Sequence, residues 1–92
     1  MYVTTRRYKN AAALGDAMAS RKGDVKELLS AVPGFVSYYA TRDGDSVTSV
    51  SVYNDKAGCD ESTRRAGEWV RANVKPAPPS PEVSSGEAFI NF

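Results

Sequence analysis

The sequence predicts one α+β domain, a four-stranded antiparallel sheet with two helices on one face, in the order β-α-β-β-α-β. Three observations carry this. Segments rich in β-branched and aromatic residues alternate with two stretches of helical periodicity. An Asp-Gly pair, Asp43-Gly44, sits between the two middle strand-like segments. The chain of 92 residues has room for one core only.

Tyr2 to Tyr8 reads as the first strand, rich in residues that suit a pleated surface. Asn10 is a plausible N-cap for the helix that starts in the Ala11–Ala13 run. Its inner stripe is Leu14, Met18, Val25, Leu28, Leu29 and Val32, and Arg21 falls awkwardly on the same stripe. Gly23 followed by Asp24-Val25-Lys26-Glu27 resembles a capping box and predicts a break and restart there. Pro33-Gly34 ends the helix, because the residue before proline is pushed out of α space and glycine opens the turn.

Phe35 to Thr41 is the second strand and Val47 to Tyr53 the third, with Val50 and Val52 on one face and Ser49 and Ser51 on the other. Asn54 or Asp55 caps a second helix of about eighteen residues, whose inner stripe is Cys59, Ser62, Ala66, Trp69 or Val70, and Val74. Lys75 to Pro81 holds four of the five prolines and reads as an extended connector. Val83 to Phe92 is the last strand. With right-handed crossovers this order is the ferredoxin-like arrangement. Aromatic and aliphatic residues occur at both parities of the first, second and fourth strands, so the sheet face away from the helices is not wholly polar. An apolar second face on an antiparallel sheet needs a cover, and a symmetric homodimer supplies one.

Composition narrows the function. Twelve basic and eleven acidic side chains leave a net charge of +1, too balanced for a nucleic-acid or membrane surface. The third strand also lacks the stacking aromatics of an RNA-recognition sheet. No apolar run reaches membrane-span length, and the N-terminal residues lack the apolar stretch of a secretory signal. With the single cysteine, Cys59, unable to form an internal disulfide, these features point to a cytoplasmic protein. There is no histidine, which removes Ser-His-Asp and Cys-His nucleophilic machinery and leaves zinc with one cysteine. The expectation is a protein without metal or cofactor.

Individual residues carry two readings each. Ser62 interrupts the inner stripe of the second helix; it either bonds a carbonyl one turn back or offers a polar tip to a pocket. Tyr38 and Tyr39 point to opposite faces of the second strand, one toward the helices and one toward the dimer side. The inward tyrosine is either packing with a satisfied hydroxyl or the floor of a ligand slot. Cys59 reads as a small apolar residue in preference to a redox thiol. Glu87, the acid inside the last strand, is expected to pair across the sheet with Arg6 or Arg7.

Taken together, Pro33-Gly34-Phe35-Val36-Ser37-Tyr38-Tyr39 leading into the Asp-Gly turn, then Ser49-Val50-Ser51-Val52-Tyr53, the helix segment Glu61 to Val70, and the closing Pro81-Glu82-Val83 and Gly86-Glu87 resemble the antibiotic biosynthesis monooxygenase-like domains of the dimeric α+β barrel superfamily. The resemblance covers nearly the whole chain and is greatest to small stand-alone bacterial domains of unestablished function. It implies two sheets packed face to face between subunits, with a pocket in each subunit between its own sheet and helices. Some members are cofactor-free oxygenases of polycyclic phenols, some degrade haem, and others have no demonstrated catalysis. The haem-degrading members place a histidine on the second helix, and this chain has none. By the same resemblance Trp69 would stack on an aromatic ligand, although plugging the helix–sheet gap is its bland role.

The leading expectation is therefore a homodimeric domain binding an apolar or aromatic small molecule through Tyr38, Tyr39, Ser62 and Trp69. A cofactor-independent monooxygenase acting on phenolic or polycyclic substrates is the enzymatic alternative. An interaction module without a small ligand is the third. A pocket of roughly 300 Å³ or more favours the first two.

Overall fold

The computed structural model describes residues Met1–Phe92. Strands β1 (Tyr2–Tyr8), β2 (Phe35–Asp43), β3 (Ser46–Tyr53) and β4 (Glu82–Glu87) form one antiparallel sheet in the order β2-β3-β1-β4. Helices α1 (Ala12–Ser20), α2 (Lys22–Ser30) and α3 (Lys56–Asn73) cover one face of it. The expected α+β order and sheet are present, and no helix is long and apolar enough to cross a membrane.

Local chemistry explains most boundaries. Asp55 caps α3, accepting from the Gly58 amide at 3.0 Å, and the helix runs the expected eighteen residues. The loop between β2 and β3 is Gly44-Asp45, and the positive φ of Gly44 (60°) suits the first central position of a type II′ turn. Gly34 also takes positive φ (85°), and its carbonyl receives the Asn54 amide at 2.8 Å, closing the entrance to β2 against the exit of β3.

Four details differ from the sequence reading. The expected break in the first helix is present, but it falls at Arg21, not at Gly23. Arg21 would otherwise point inward; at the break its guanidinium instead donates to Asn73 on α3. Asn10 is not a cap: it stands one residue before the N-cap position, Ala11, in a left-handed conformation (φ 51°) that asparagine tolerates. β4 ends at Glu87, and the exposed Phe89, Ile90 and Phe92 lie beyond it. Glu87 pairs with neither Arg6 nor Arg7. Register places it opposite Tyr2, where it meets the Met1 amino group at 3.4 Å, while Arg6 faces Val83.

The two faces of the sheet are the most instructive feature. Inward rows run Tyr38–Ser51–Thr4 and Ala40–Ser49–Arg6, so the helix-facing side of the central strands is largely polar. Outward rows run Tyr39–Val50–Thr5 and Ser37–Val52–Val3. The buried apolar residues accordingly fall into two clusters. Tyr8, Ala11, Leu14, Val47 and Val74 form one; Val32, Tyr53 and Cys59 form the other.

Candidate functional site

Between the two apolar clusters the polar inward residues find partners among themselves and on α3. Arg6 is 2% exposed, and no carboxylate approaches it; its guanidinium donates to Thr63 Oγ1 at 2.7 Å and Ser51 Oγ at 2.8 Å. A buried cation held only by neutral oxygens is stabilised by those hydrogen bonds, and losing either acceptor would be costly. Ser62 Oγ donates to the Cys59 carbonyl at 2.8 Å. Cys59 Sγ lies 3.3 Å from the Tyr2 carbonyl, and the Tyr53 hydroxyl donates to the Leu29 carbonyl at 2.7 Å. No buried side-chain polar atom lacks a partner. This half of the interlayer is closed.

The other half is open. A cavity of about 490 Å³ lies between α1, α2, β2 and β3, walled by Met18, Val25, Leu29, Phe35 and Val47 with Tyr38 beside them. That volume is within the ordinary range for small-molecule sites. Small residues leave the space: Gly15 and Ala19 on α1 and Ala40 on β2 all line it. Gly15 has a further role, since a Cβ there would come within 2.1 Å of Arg42 Nη2. Its absence lets the Arg42 guanidinium lie across α1, donating to the Ala12 carbonyl at 3.2 Å and to Asp16 Oδ1 at 2.9 Å. Lys22 and Lys26 stand at the rim.

The cavity adjoins a second void of about 30 Å³, the room of a single water, lined by Arg6, Tyr38, Ser49 and Trp69 among others. Tyr38 borders both spaces. Burial pushes its phenol above the ordinary value, with the Ser49 hydroxyl and the Arg6 charge acting in the opposite direction. It therefore stays protonated at neutral pH and can donate a hydrogen bond to a ligand, but is poorly suited to accept a proton.

The four residues singled out from sequence do not converge on one wall. Tyr38 is the inward tyrosine and borders the cavity. Trp69 is half-buried and packs onto the Leu14–Val47 cluster, reaching the small void and not the large one. Ser62 lines neither space; its hydroxyl is used one turn back along α3. Tyr39 is 62% exposed on the opposite sheet face. The expected wall of Ser62 and Trp69 is thus replaced by α1 and α2. The signal was present in the sequence: Gly15, Ala19, Lys22 and Lys26 recur at spacings of four, three and four, a stripe of small residues continuing into two cations.

No family model matches the chain, and no curated protein matches it. Solved structures do. NE2512, a protein of unknown function from Nitrosomonas europaea, is 17% identical with a TM-score of 0.69, over 99% of this chain and 91% of that one. The monooxygenase from the gene ActVA-Orf6 of Streptomyces coelicolor, in complex with nanaomycin D, is 16% identical with a TM-score of 0.70, over 99% of this chain and 89% of that one. An antibiotic biosynthesis monooxygenase is 14% identical with a TM-score of 0.65, over 98% of this chain and all of that one. The chain has the fold of the antibiotic biosynthesis monooxygenase-like proteins, as the sequence resemblance implied.

Proposed function

We propose that this protein is a homodimeric small-molecule-binding domain whose ligand, a flat apolar or aromatic molecule, occupies the cavity between α1–α2 and the β2–β3 half of the sheet. The cavity itself carries the reading: about 490 Å³ of space with apolar walls and one phenol as donor. Tyr38 supplies the hydrogen bond, and Trp69, behind it at the small void, reports on occupancy. The S. coelicolor structure of similar fold contains nanaomycin D, which supports a ligand-binding role.

Turnover as a cofactor-independent oxygenase is the second reading. It would need a group to deprotonate the substrate, and the cavity lining holds no carboxylate and no imidazole. Binding without turnover is therefore favoured. Dimerisation is supported by the outward sheet face, where Val3, Val50, Val52 and the exposed Tyr39 need a cover that a second copy would provide.

A panel of hydroxylated aromatics, followed by Trp69 fluorescence and thermal melting, tests the binding. A ligand at a hundred times its dissociation constant stabilises by about 2.7 kcal/mol, so occupancy should raise the melting temperature visibly. Absence of any shift across the panel would leave the interaction-module reading. Light scattering at tens of micromolar should return twice the 9.9 kDa chain mass, and a monomer mass would refute the dimer.

A further inference from the structure

We propose that the ligand of this cavity is an organic anion, with its apolar body between the helices and the sheet and its acidic group, a carboxylate or an acidic phenol, held at the mouth by Lys22 and Lys26. This rests on the binding function proposed above and specifies its ligand class. Two independent observations converge on it.

The first is where the charges are satisfied and where they are not. On α3, Arg64 and Arg65 are tied to Glu61 and Glu68, and Lys56 is tied to Asp60. At the cavity, Arg42 is tied to Asp16. Arg6, Arg7, Lys9, Arg21, Lys22, Lys26, Arg71 and Lys75 make no ion pair, and of these only Lys22 and Lys26 line the cavity. They stand one turn apart on α2, where like charges at this spacing repel, and an anion between them would relieve that repulsion.

The second is the cavity's composition. Its lining contains three cationic residues, Lys22, Lys26 and Arg42, and no acidic one. An apolar concavity with charge of one sign at its rim focuses the field and favours counter-charged ligands. A neutral aromatic would fill the walls and leave this charge unused.

A matched ligand pair isolates the charge: 2-naphthoate and 2-naphthamide share one flat body and differ in the anion. Calorimetric titration of the unmodified protein should show naphthoate bound roughly tenfold more tightly than naphthamide, the scale of two partly exposed ionic contacts. In K22Q/K26Q the preference should vanish while naphthamide binding is unchanged; glutamine keeps the helix propensity of lysine, so folding is retained. Raising the salt to about 0.5 M should likewise shrink the preference in the unmodified protein. Equal binding of the two compounds, or a naphthoate preference that survives K22Q/K26Q, would overturn the anion assignment and leave the pocket standing. Binding of neither compound would overturn both.

Discussion

Under α3 and under α1–α2 the same sheet face meets two different layers. Under the N-terminal half of α3 the interlayer is polar and packed: Arg6 reaches Thr63 and Ser51, Ser62 turns back to Cys59, and no buried side-chain polar atom lacks a partner. On the α1–α2 side it is apolar and open, with Met18, Val25, Leu29 and Phe35 around empty volume and two lysines without counter-charges at the rim. The contrast reverses the usual expectation that polar residues mark sites and apolar ones mark core. A buried polar group with complete hydrogen bonding is structural, whereas apolar surface with no protein packed against it is a candidate binding surface.

The largest effect that would break this contrast lies on the closed side. Arg6→Ala strands the Ser51 and Thr63 hydroxyls beside a new void, and should cost about 2–4 kcal/mol of stability in chemical denaturation. A loss below 1 kcal/mol would mean that the polar layer is not what holds α3 to the sheet.

Next comes the open side, where stability and binding should separate. Ala19 is exposed and lines the cavity, so Ala19→Phe fills space without disturbing packed neighbours. It should change stability by only about 0.5 kcal/mol, in line with a surface helix substitution, yet weaken aromatic ligands at least tenfold in Trp69 titrations. Unchanged ligand affinity would place the ligand elsewhere.

These two sites also mark what the sequence disclosed and what it withheld. The order of the elements along the chain, the turn at Gly44 and the limits of α3 followed from propensities and caps, because such signals act over a few residues. The strict alternation of β3 was equally plain, but period two cannot say which face is which. Ser51 lies inward, where its hydroxyl accepts from the buried Arg6, Ser49 shares that face, and Val50 and Val52 lie outward. At the break Arg21 meets Asn73, a partner more than fifty residues away that no local signal could point to. The cavity was legible only as a stripe of small residues, whose meaning likewise depends on a distant segment. Gly15 and Ala19 become cavity lining only with β2 placed opposite them, whereas the interruption of the apolar stripe at Ser62 on α3 stands in the sequence itself. A polar interruption of a stripe signals a hydrogen bond first and a site second.

The smallest effect concerns the solvent-facing side of α3. Arg64 and Arg65 both bond Glu61 and hold its carboxyl down at about 2, below its ordinary 4.5. A depressed folded-state value contributes stability above the unfolded value, and that contribution is lost as pH falls from about 4.5 toward about 2. Melting temperatures of the unmodified protein and Glu61→Gln should therefore differ slightly at pH 6 and converge near pH 2. A gap independent of pH would detach Glu61 from that pairing.

The most direct test of an open, ligand-ready layer beside a closed, structural one is amide chemical-shift mapping with 2-naphthoate. Occupancy of the cavity should move the amides of Met18, Lys22, Val25, Phe35 and Tyr38 in a saturable manner and leave those of Thr4, Ser51, Ser62 and Thr63 in place. Shifts centred on Ser62 and Thr63, or none at α1 and α2 at saturating ligand, would contradict it.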